Sequence, residues 1–335
     1  MQAAMYGFSG PVLTDEERAF FREADPAGYI VFKRNCIDRD QLRALTDSLR
    51  DLSGDPEIPI LIDQEGGRVA RMKPPGWQAF PAAWAFADLY RKAPTSAIEA
   101  AMANARALGL MVRDCGVNVD CLPLLDVRQE GADDIIGDRA LGSDPMQVAA
   151  LGRAVLDGLA SAGTVGVIKH IPGHGRAMVD SHKALPIVEA SEDELAIDLE
   201  PFRTLNWAPM AMVAHVVYTA WDKDRPASMS TIVIDEIIRG QIGFDGFLIS
   251  DDIGMEALSG DAGTRAAGVV DAGCDVALHC SGKMDEMLSV ANAVPAIGDA
   301  ALERLRQAMV IAKGELNGPD IEAEIARRDE LLALA

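Results

Sequence analysis

Short apolar runs alternate along the chain with longer segments in which apolar residues recur at helical spacing. Near-continuous apolar runs are typical of strands that are buried on both faces, as in a parallel sheet. The predicted strands are Ala3–Phe8, Gly28–Phe32, Ile58–Ile62, Val117–Leu122, Val165–Ile168, Met210–Ala214, Phe247–Ile249 and Asp275–His279. The fourth differs from the others, because Asn118 and Asp120 alternate there with apolar neighbours.

The segments between these strands predict helices. Their bounds are Thr14–Glu23, Arg39–Leu52, Thr95–Asp114, Pro145–Ala162, Glu192–Asn206, Ser230–Gln241, Gly263–Asp271 and Met284–Val294, followed by Asp299–Lys313 and Asp320–Leu334. Eight strands alternating with helices predict an α/β fold, a (β/α)8 barrel of the TIM type with extra C-terminal helices. A doubly wound open sheet is the alternative, but no Gly-x-Gly-x-x-Gly motif follows the first strand. Since no linker interrupts the pattern, we expect residues 1–335 to form one domain.

Composition argues against a nucleic-acid-binding, secreted or membrane protein. The net charge of −21 argues against a nucleic-acid partner, because phosphates would be repelled. The five cysteines include no Cys-x-x-Cys pair and are expected to be reduced. The N-terminus lacks the basic region of a signal peptide, and no apolar stretch is long enough to span a bilayer. We therefore expect a cytoplasmic protein without a membrane partner.

Candidate chemistry is concentrated in Lys169–Pro186, which contains three of the five histidines. Pro172 and the nearby Gly173 and Gly175 exclude a regular helix, so the polar side chains here lie on a strand end and a loop. In a TIM barrel the active site lies at the C-terminal ends of the strands. Other titratable residues predicted at that end are Asp63, Arg71, Asp120, Asp126, Arg139, His215, Asp251 and Asp252.

Two of these elements indicate acid–base and nucleophilic chemistry. Asp180 and His182 are two residues apart, so in an extended segment the carboxylate can orient the imidazole and raise its basicity. Asp251 and Asp252 end a buried strand and point in different directions, so one of them can face the barrel axis. A carboxylate nucleophile with a separate proton donor is the pattern of retaining glycoside hydrolysis, here with a histidine as donor.

Three other functions remain open at this point. A metal hydrolase could use His170, His174, Asp180 and His182 as ligands, but no His-Glu-x-x-His helix is present, and we expect no metal or cofactor. A Schiff-base lyase could use Lys169 at a strand end. A non-catalytic sugar-binding protein is the third possibility, although paired catalytic groups argue against it.

Five motifs then occur in order along the chain. They are Asp63–Val69, Gly137–Arg139, Lys169–Gly175, Asp180–His182 and Ser250–Met255. The ordered set resembles family 3 glycoside hydrolases, specifically the β-N-acetylglucosaminidases of bacterial peptidoglycan recycling. The chain departs from the family pattern at Ile171, where Phe is usual, and at Ile253–Gly254, where Leu-Ser is common.

The resemblance implies roles for particular residues. Asp251 would be the nucleophile, and His182 the acid/base assisted by Asp180. The N-acetylglucosamine ring would be held by Asp63, Arg71, Arg139, Lys169 and His170. The implied substrate is N-acetylglucosamine linked β-1,4 to 1,6-anhydro-N-acetylmuramic acid, with or without peptide. Separately, we expect the protein to be a monomer whose partner is this sugar. Phosphorolysis in place of hydrolysis stays open.

Overall fold

The computed structural model describes residues 1–179, 181, 184–314 and 320–335, and eight of its strands close into a parallel barrel. The barrel strands are β1 (Gln2–Tyr6), β2 (Pro26–Val31), β3 (Ile60–Ile62), β4 (Val119–Asp120), β5 (Val165–Ile171), β7 (Met210–Val213), β9 (Phe247–Asp252) and β10 (Val276–His279). Each pairs in parallel with the barrel strands before and after it, and β10 closes the barrel on β1. The predicted TIM-type α/β barrel is confirmed.

Helices surround the barrel. They are α1 (Asp15–Ala24), α2 (Arg39–Ser53), α3 (Trp84–Lys92), α4 (Pro94–Asp114), α5 (Pro145–Ser161), α6 (Glu192–Thr204), α7 (Ala262–Asp271), α8 (Met284–Ala293), α9 (Asp299–Ala308) and α10 (Ile321–Leu332), with a π-helix at Val233–Ile242. Two of them start at capping boxes, formed by Thr14 with Glu17 and by Ser191 with Glu194. Reciprocal bonds of this kind satisfy amide groups that have no partner inside the helix.

The structure differs from the predicted elements in three places. Helix α3 was not predicted, since it is only nine residues long and its N-cap residue, Ala83, has no capping side chain. The predicted helix Asp299–Lys313 ends early, at Ala308, and a separate 3₁₀ turn follows at Ile311–Lys313. A small parallel sheet of β6 (Ile187–Val188) and β8 (Val217–Tyr218) was also missed, because two-residue strands carry no periodicity.

Both faces of the barrel strands are buried, in agreement with their apolar composition. In β3, Leu61 packs with the side chains inside the barrel, while its neighbours Ile60 and Ile62 pack against the helices. The polar alternation in the fourth predicted strand has a specific cause. The Asn118 side chain accepts from the backbone amide of Ile60 and donates to the carbonyl of Ile58, and so ties β4 to β3.

The five cysteines are all free thiols. In the described part of the chain, no helix combines the length and the apolar character that crossing a membrane requires.

Candidate active site

A cavity of about 200 Å³ opens at the C-terminal ends of the barrel strands. Eight residues were given roles by the family resemblance, and six of them line the cavity: Asp63, Arg71, Arg139, Lys169, His170 and Asp251. Asp252, also predicted at the strand ends, lines it as well. They come from strands or loops that are far apart in sequence, and the closed barrel brings them to one rim. The two remaining predicted residues, Asp180 and His182, lie outside the described residues.

Lys169 is the centre of a buried charge cluster. Its side chain is 2% exposed, and its ammonium lies 2.9 Å from Asp63 Oδ1 and 2.7 Å from Glu65 Oε1. Two arginines complete the cluster. Arg71 Nη2 donates to Asp63 Oδ2 at 2.8 Å, and Arg139 donates to both oxygens of Glu65, each at 2.8 Å. Each of the three cations thus contacts at least one of the two carboxylates, as burial requires.

These contacts hold the cluster in its ionised form. Burial acts to raise the pKa of Asp63, but the charges of Lys169 and Arg71 hold that pKa well below its usual value. Burial likewise opposes ionisation of Glu65, yet Arg139 and Lys169 lower its pKa to about 2. For Lys169, the two carboxylates outweigh burial and raise its pKa above the ordinary value. A permanently charged ammonium is a hydrogen-bond donor and a poor amine nucleophile, which argues against Schiff-base chemistry at Lys169.

Glu65 was not among the predicted site residues, although the sequence contained a signal for it. Asp63 and Glu65 are two residues apart at the end of β3, and such residues point to the same side of an extended chain. Gln64, between them, points elsewhere. Its side-chain oxygen accepts from the backbone amides of Arg71 and Met72 and so shapes the turn that carries Arg71.

Phe32, after β2, provides an aromatic face between two cations. The guanidinium carbons of Arg34 and Arg71 each lie 4.9 Å from the centre of its ring. Arg71 is therefore fixed by Asp63 through a hydrogen bond and by Phe32 through a cation–π contact. Its Nε is buried and has no hydrogen-bond partner among the residues that the structure describes.

His170 is oriented by a buried carboxylate. Asp126 Oδ2 lies 2.8 Å from His170 Nδ1, while Asp126 Oδ1 accepts from the backbone amide of His174 at 2.7 Å. Burial acts to raise the pKa of Asp126, but the adjacent His170 lowers it to about 2. The carboxylate is therefore ionised, and it fixes both the imidazole that faces the cavity and the loop that follows β5.

Asp251 and Asp252 have different surroundings, as their adjacent positions predict. One oxygen of Asp252 accepts from the backbone amides of Gly254, at 2.9 Å, and Cys280, at 3.1 Å. Asp251 Oδ1 accepts from the amide of Asp252 at 2.8 Å. Asp252 thus organises the end of β9, and Asp251 presents a carboxylate to the cavity among its other contacts.

His215, predicted at the rim, supports the strand end from behind. It is fully buried, with Nε2 3.1 Å from the carbonyl oxygen of Asp252 and Nδ1 2.6 Å from Ser228 Oγ. Burial lowers the pKa of His215, so its ring is neutral at neutral pH. A neutral imidazole that uses both nitrogens in this way orients the backbone beside Asp251.

Asp120, at the end of β4, lies beneath the charge cluster. Its Oδ1 accepts from the backbone amide of Gln64 at 3.0 Å, and burial raises its pKa well above the ordinary value. Within the described residues, no group of three or more His, Cys, Asp or Glu side chains is arranged to hold a metal ion.

Comparison with known proteins assigns the family. The glycosyl hydrolase family 3 N-terminal domain matches residues 5–327. A β-hexosaminidase of Bordetella avium (strain 197N) is 36% identical over 312 residues, which cover 91% of this chain and 87% of that protein. A β-hexosaminidase of Xanthomonas campestris pv. campestris (strain B100) is 34% identical over 329 residues, covering 96% of this chain and 95% of the relative.

A solved structure agrees with this assignment. The crystal structure of NagZ from Neisseria gonorrhoeae in complex with N-trifluoroacetyl-D-glucosamine superposes with a TM-score of 0.88 and 32% identity, covering 99% of this chain and 98% of that chain. The match extends over the whole barrel, including the strand ends that line the cavity. The chain belongs to family 3 of the glycoside hydrolases, among its β-hexosaminidases.

Proposed function

We propose that residues 1–335 form one catalytic domain, a retaining exo-β-N-acetylglucosaminidase. The observation that carries this proposal is the placement of Asp251 on the rim of the same cavity as the cluster around Lys169. In the barrel order, β9 lies across from β3, so Asp251 and Asp63 approach the cavity from opposite sides. A sugar ring between them has a carboxylate at one side and hydroxyl-binding groups at the other.

The charge cluster suits recognition of sugar hydroxyls. Asp63 offers acceptor lone pairs, while Lys169 has a third ammonium hydrogen beyond its two ion-pair contacts. We assign Asp63, Arg71, Arg139, Lys169 and His170 to binding the N-acetylglucosamine ring. The Neisseria gonorrhoeae relative was solved with N-trifluoroacetyl-D-glucosamine, which supports this choice of sugar.

The size of the cavity supports exo action. Its volume of about 200 Å³ is below the ~300–1,000 Å³ typical of pockets for drug-sized ligands. A pocket of this size suits one terminal sugar ring rather than an extended chain. The enzyme would therefore remove single N-acetylglucosamine units from the non-reducing end of its substrate.

The reaction we propose has two steps. In the first, the Asp251 carboxylate attacks the anomeric carbon, while His182, as imidazolium, donates a proton to the departing glycosidic oxygen. In the second, neutral His182 accepts a proton from water, which attacks the anomeric carbon and releases Asp251. Two inversions at one carbon give net retention. Asp180 would orient His182 and favour its protonated form.

The proposal also specifies the class of substrate. We assign the enzyme to peptidoglycan fragments in which N-acetylglucosamine is linked β-1,4 to 1,6-anhydro-N-acetylmuramic acid, with or without peptide. We also propose that it acts in the cytoplasm, as a monomer. Support comes from the ordered motifs of the sequence and from the similarity to NagZ over nearly the full chain.

Replacement of the nucleophile tests the mechanism directly. Asp251→Ala should abolish cleavage of aryl N-acetyl-β-glucosaminides, because no covalent intermediate can form. Asp252→Asn is the matched control, since that residue binds backbone amides and not the sugar in this proposal. Cleavage by Asp251→Ala at a rate near that of the wild-type enzyme would contradict the proposal.

Replacement of the acid/base gives a different pattern. His182→Ala should lose about 10²–10⁴-fold in kcat/KM on substrates with poorly acidic leaving groups and far less on activated aryl glycosides. Equal losses on both substrates would count against His182 as the acid.

Product analysis separates hydrolysis from phosphorolysis. Mass spectrometry of muropeptide digests in buffers with and without phosphate should give free N-acetylglucosamine in both. Formation of N-acetylglucosamine 1-phosphate in the phosphate buffer would show a phosphorylase instead.

A further inference from the structure

The loop after β5 begins with a tightly held segment, which we call the loop base and define as residues 172–177. The Tyr218 hydroxyl donates to the carbonyl of Gly173 at 2.7 Å, and the amide of His174 donates to Asp126 Oδ1 at 2.7 Å. At Gly175 the backbone approaches so closely that a Cβ atom would lie 2.0 Å from the carbonyl oxygen of Val127. The loop base is thus fixed from two sides.

Arg176 adds a contact to a surrounding helix. Its Nε donates to Asp198 Oδ2 on α6, and its Nη2 donates to the carbonyl of Glu194 at 3.0 Å. The Asp198 side chain is 2% exposed, and that of Arg176 is 18% exposed. Neither residue lines the site cavity, so neither is placed to contact substrate.

A buried ion pair of this kind is stable only when its two groups are held in a favourable geometry. Removing two charges from water costs about as much as their attraction returns, so the pair adds little net stability but requires a strict geometry. The second oxygen of Asp198 accepts from the side-chain amide of Gln129 at 3.4 Å, so the carboxylate is held on both sides. The pair therefore fixes where the loop base lies relative to α6.

A second fixed point lies further along the loop. Ser181 is buried, and its hydroxyl is 3.3 Å from His174 Nε2. In sequence, Ser181 stands between Asp180 and His182, the two residues assigned to proton transfer. Ser181 is therefore tied to the loop base, which Arg176 and Asp198 hold.

We propose that Arg176 and Asp198 are positioning residues for proton transfer, because their ion pair sets the location of the loop that carries Asp180 and His182. This inference rests on the proposed function, since it requires His182 to be the acid/base. The two residues would act through the loop and not on the substrate. Their loss should then impair the step that needs the acid, while leaving sugar binding in place.

The test compares leaving groups. We would measure kcat/KM for aryl and alkyl N-acetyl-β-glucosaminides whose leaving groups range from strongly to weakly acidic, because this ratio reports formation of the glycosyl-enzyme. Arg176→Gln should lose at least about tenfold on the least acidic leaving group and less than about twofold on the most acidic. Arg176→Lys, which keeps the charge, should recover part of the loss.

A second variant keeps the test valid if Arg176→Gln folds poorly. Asp198→Asn removes the deeply buried carboxylate and leaves its partner Arg176, whose side chain is 18% exposed and can reach water, so it should show the same dependence on the leaving group. Arg203→Gln is the control, because Arg203 lies on the same helix in an exposed contact with Gln241. It should behave as the wild-type enzyme does.

The outcomes separate the two proposals. Equal losses across all leaving groups in both Arg176→Gln and Asp198→Asn would overturn the positioning role, as would the absence of any loss. If His182→Ala itself shows no dependence on the leaving group, the assignment of His182 as the acid/base in the proposed function is wrong. If His182→Ala shows the dependence and the Arg176 and Asp198 variants do not, only the positioning inference is wrong.

Discussion

At the scale of single residues, His174 has no role in the proposed chemistry, but it packs against residues of the site. The sequence suggested it as a possible metal ligand. In the structure it is buried, its Nε2 lies 3.3 Å from Ser181 Oγ, and its ring packs edge-on against His170 with centroids 5.6 Å apart. Burial, with a smaller contribution from His170, lowers the pKa of His174 to about 4.

This lowered pKa predicts a loss of stability in mild acid. The unfolded chain gains a proton at His174 near its ordinary pKa of 6.5, whereas the folded protein gains it only near 4. Stability is therefore fully retained above the unfolded pKa and falls as the pH drops through this window. From about pH 7 to about pH 5, the free energy of unfolding should fall by about 2 kcal/mol through this residue.

Urea titrations at a series of pH values would measure this effect. His174→Gln should reduce the fall by about 2 kcal/mol while keeping a hydrogen-bonding group near Ser181. His215, whose pKa is also lowered by burial, should continue to contribute in the variant. An unchanged slope in His174→Gln would show that His174 does not titrate in this way.

At the scale of elements, the turn after β3 depends on its glycines. Gly66 has a φ of +95°, and a Cβ atom there would lie 2.3 Å from the carbonyl oxygen of Pro81. This turn follows directly on Glu65, whose carboxylate joins Lys169 to Arg139. A displaced turn would therefore disturb the charge cluster of the site.

Gly66→Ala should accordingly destabilise the protein by about 3 kcal/mol and weaken binding of N-acetylglucosamine. Gly54→Ala is the matched control, because Gly54 also has a positive φ, of +70°, but has no atom within 4 Å of an added Cβ. It should cost about 1 kcal/mol and leave activity unchanged. Thermal unfolding and KM should be measured for both variants. Similar losses of stability and similar KM values in Gly66→Ala and Gly54→Ala would refute this account of the turn.

The same elements show how far the sequence predicts the structure. All eight barrel strands were predictable, because seven are runs of apolar residues, the fourth alternates polar and apolar residues, and all eight alternate regularly with helices. Helix α3 was not, since it lacks a cap and follows an irregular proline-rich segment. Glu65 could have been found from its spacing to Asp63, but the pairing of Arg176 with Asp198 depends on tertiary packing that no local pattern encodes.

At the scale of the whole molecule, the barrel separates two tasks. The cluster around Lys169, supplied by β3, β5 and the Arg139 loop, is held ionised by matched charges and suits hydroxyl binding. Asp251, on β9, lies at the opposite side, with Asp252 and His215 fixing the backbone next to it. Sequence motifs predicted six of the residues that line the cavity, while Glu65 and the ion pairs that hold the cluster became visible only in the fold.

Covalent trapping tests the central claim most directly. A 5-fluoro derivative of an activated N-acetyl-β-glucosaminide should form a slowly hydrolysed glycosyl-enzyme, visible as a single added sugar in the mass of the intact protein. Peptide mapping should place that sugar on Asp251, and Asp251→Ala should remain unlabelled. Labelling of Asp252, or turnover with no covalent adduct at any substrate concentration, would contradict the account.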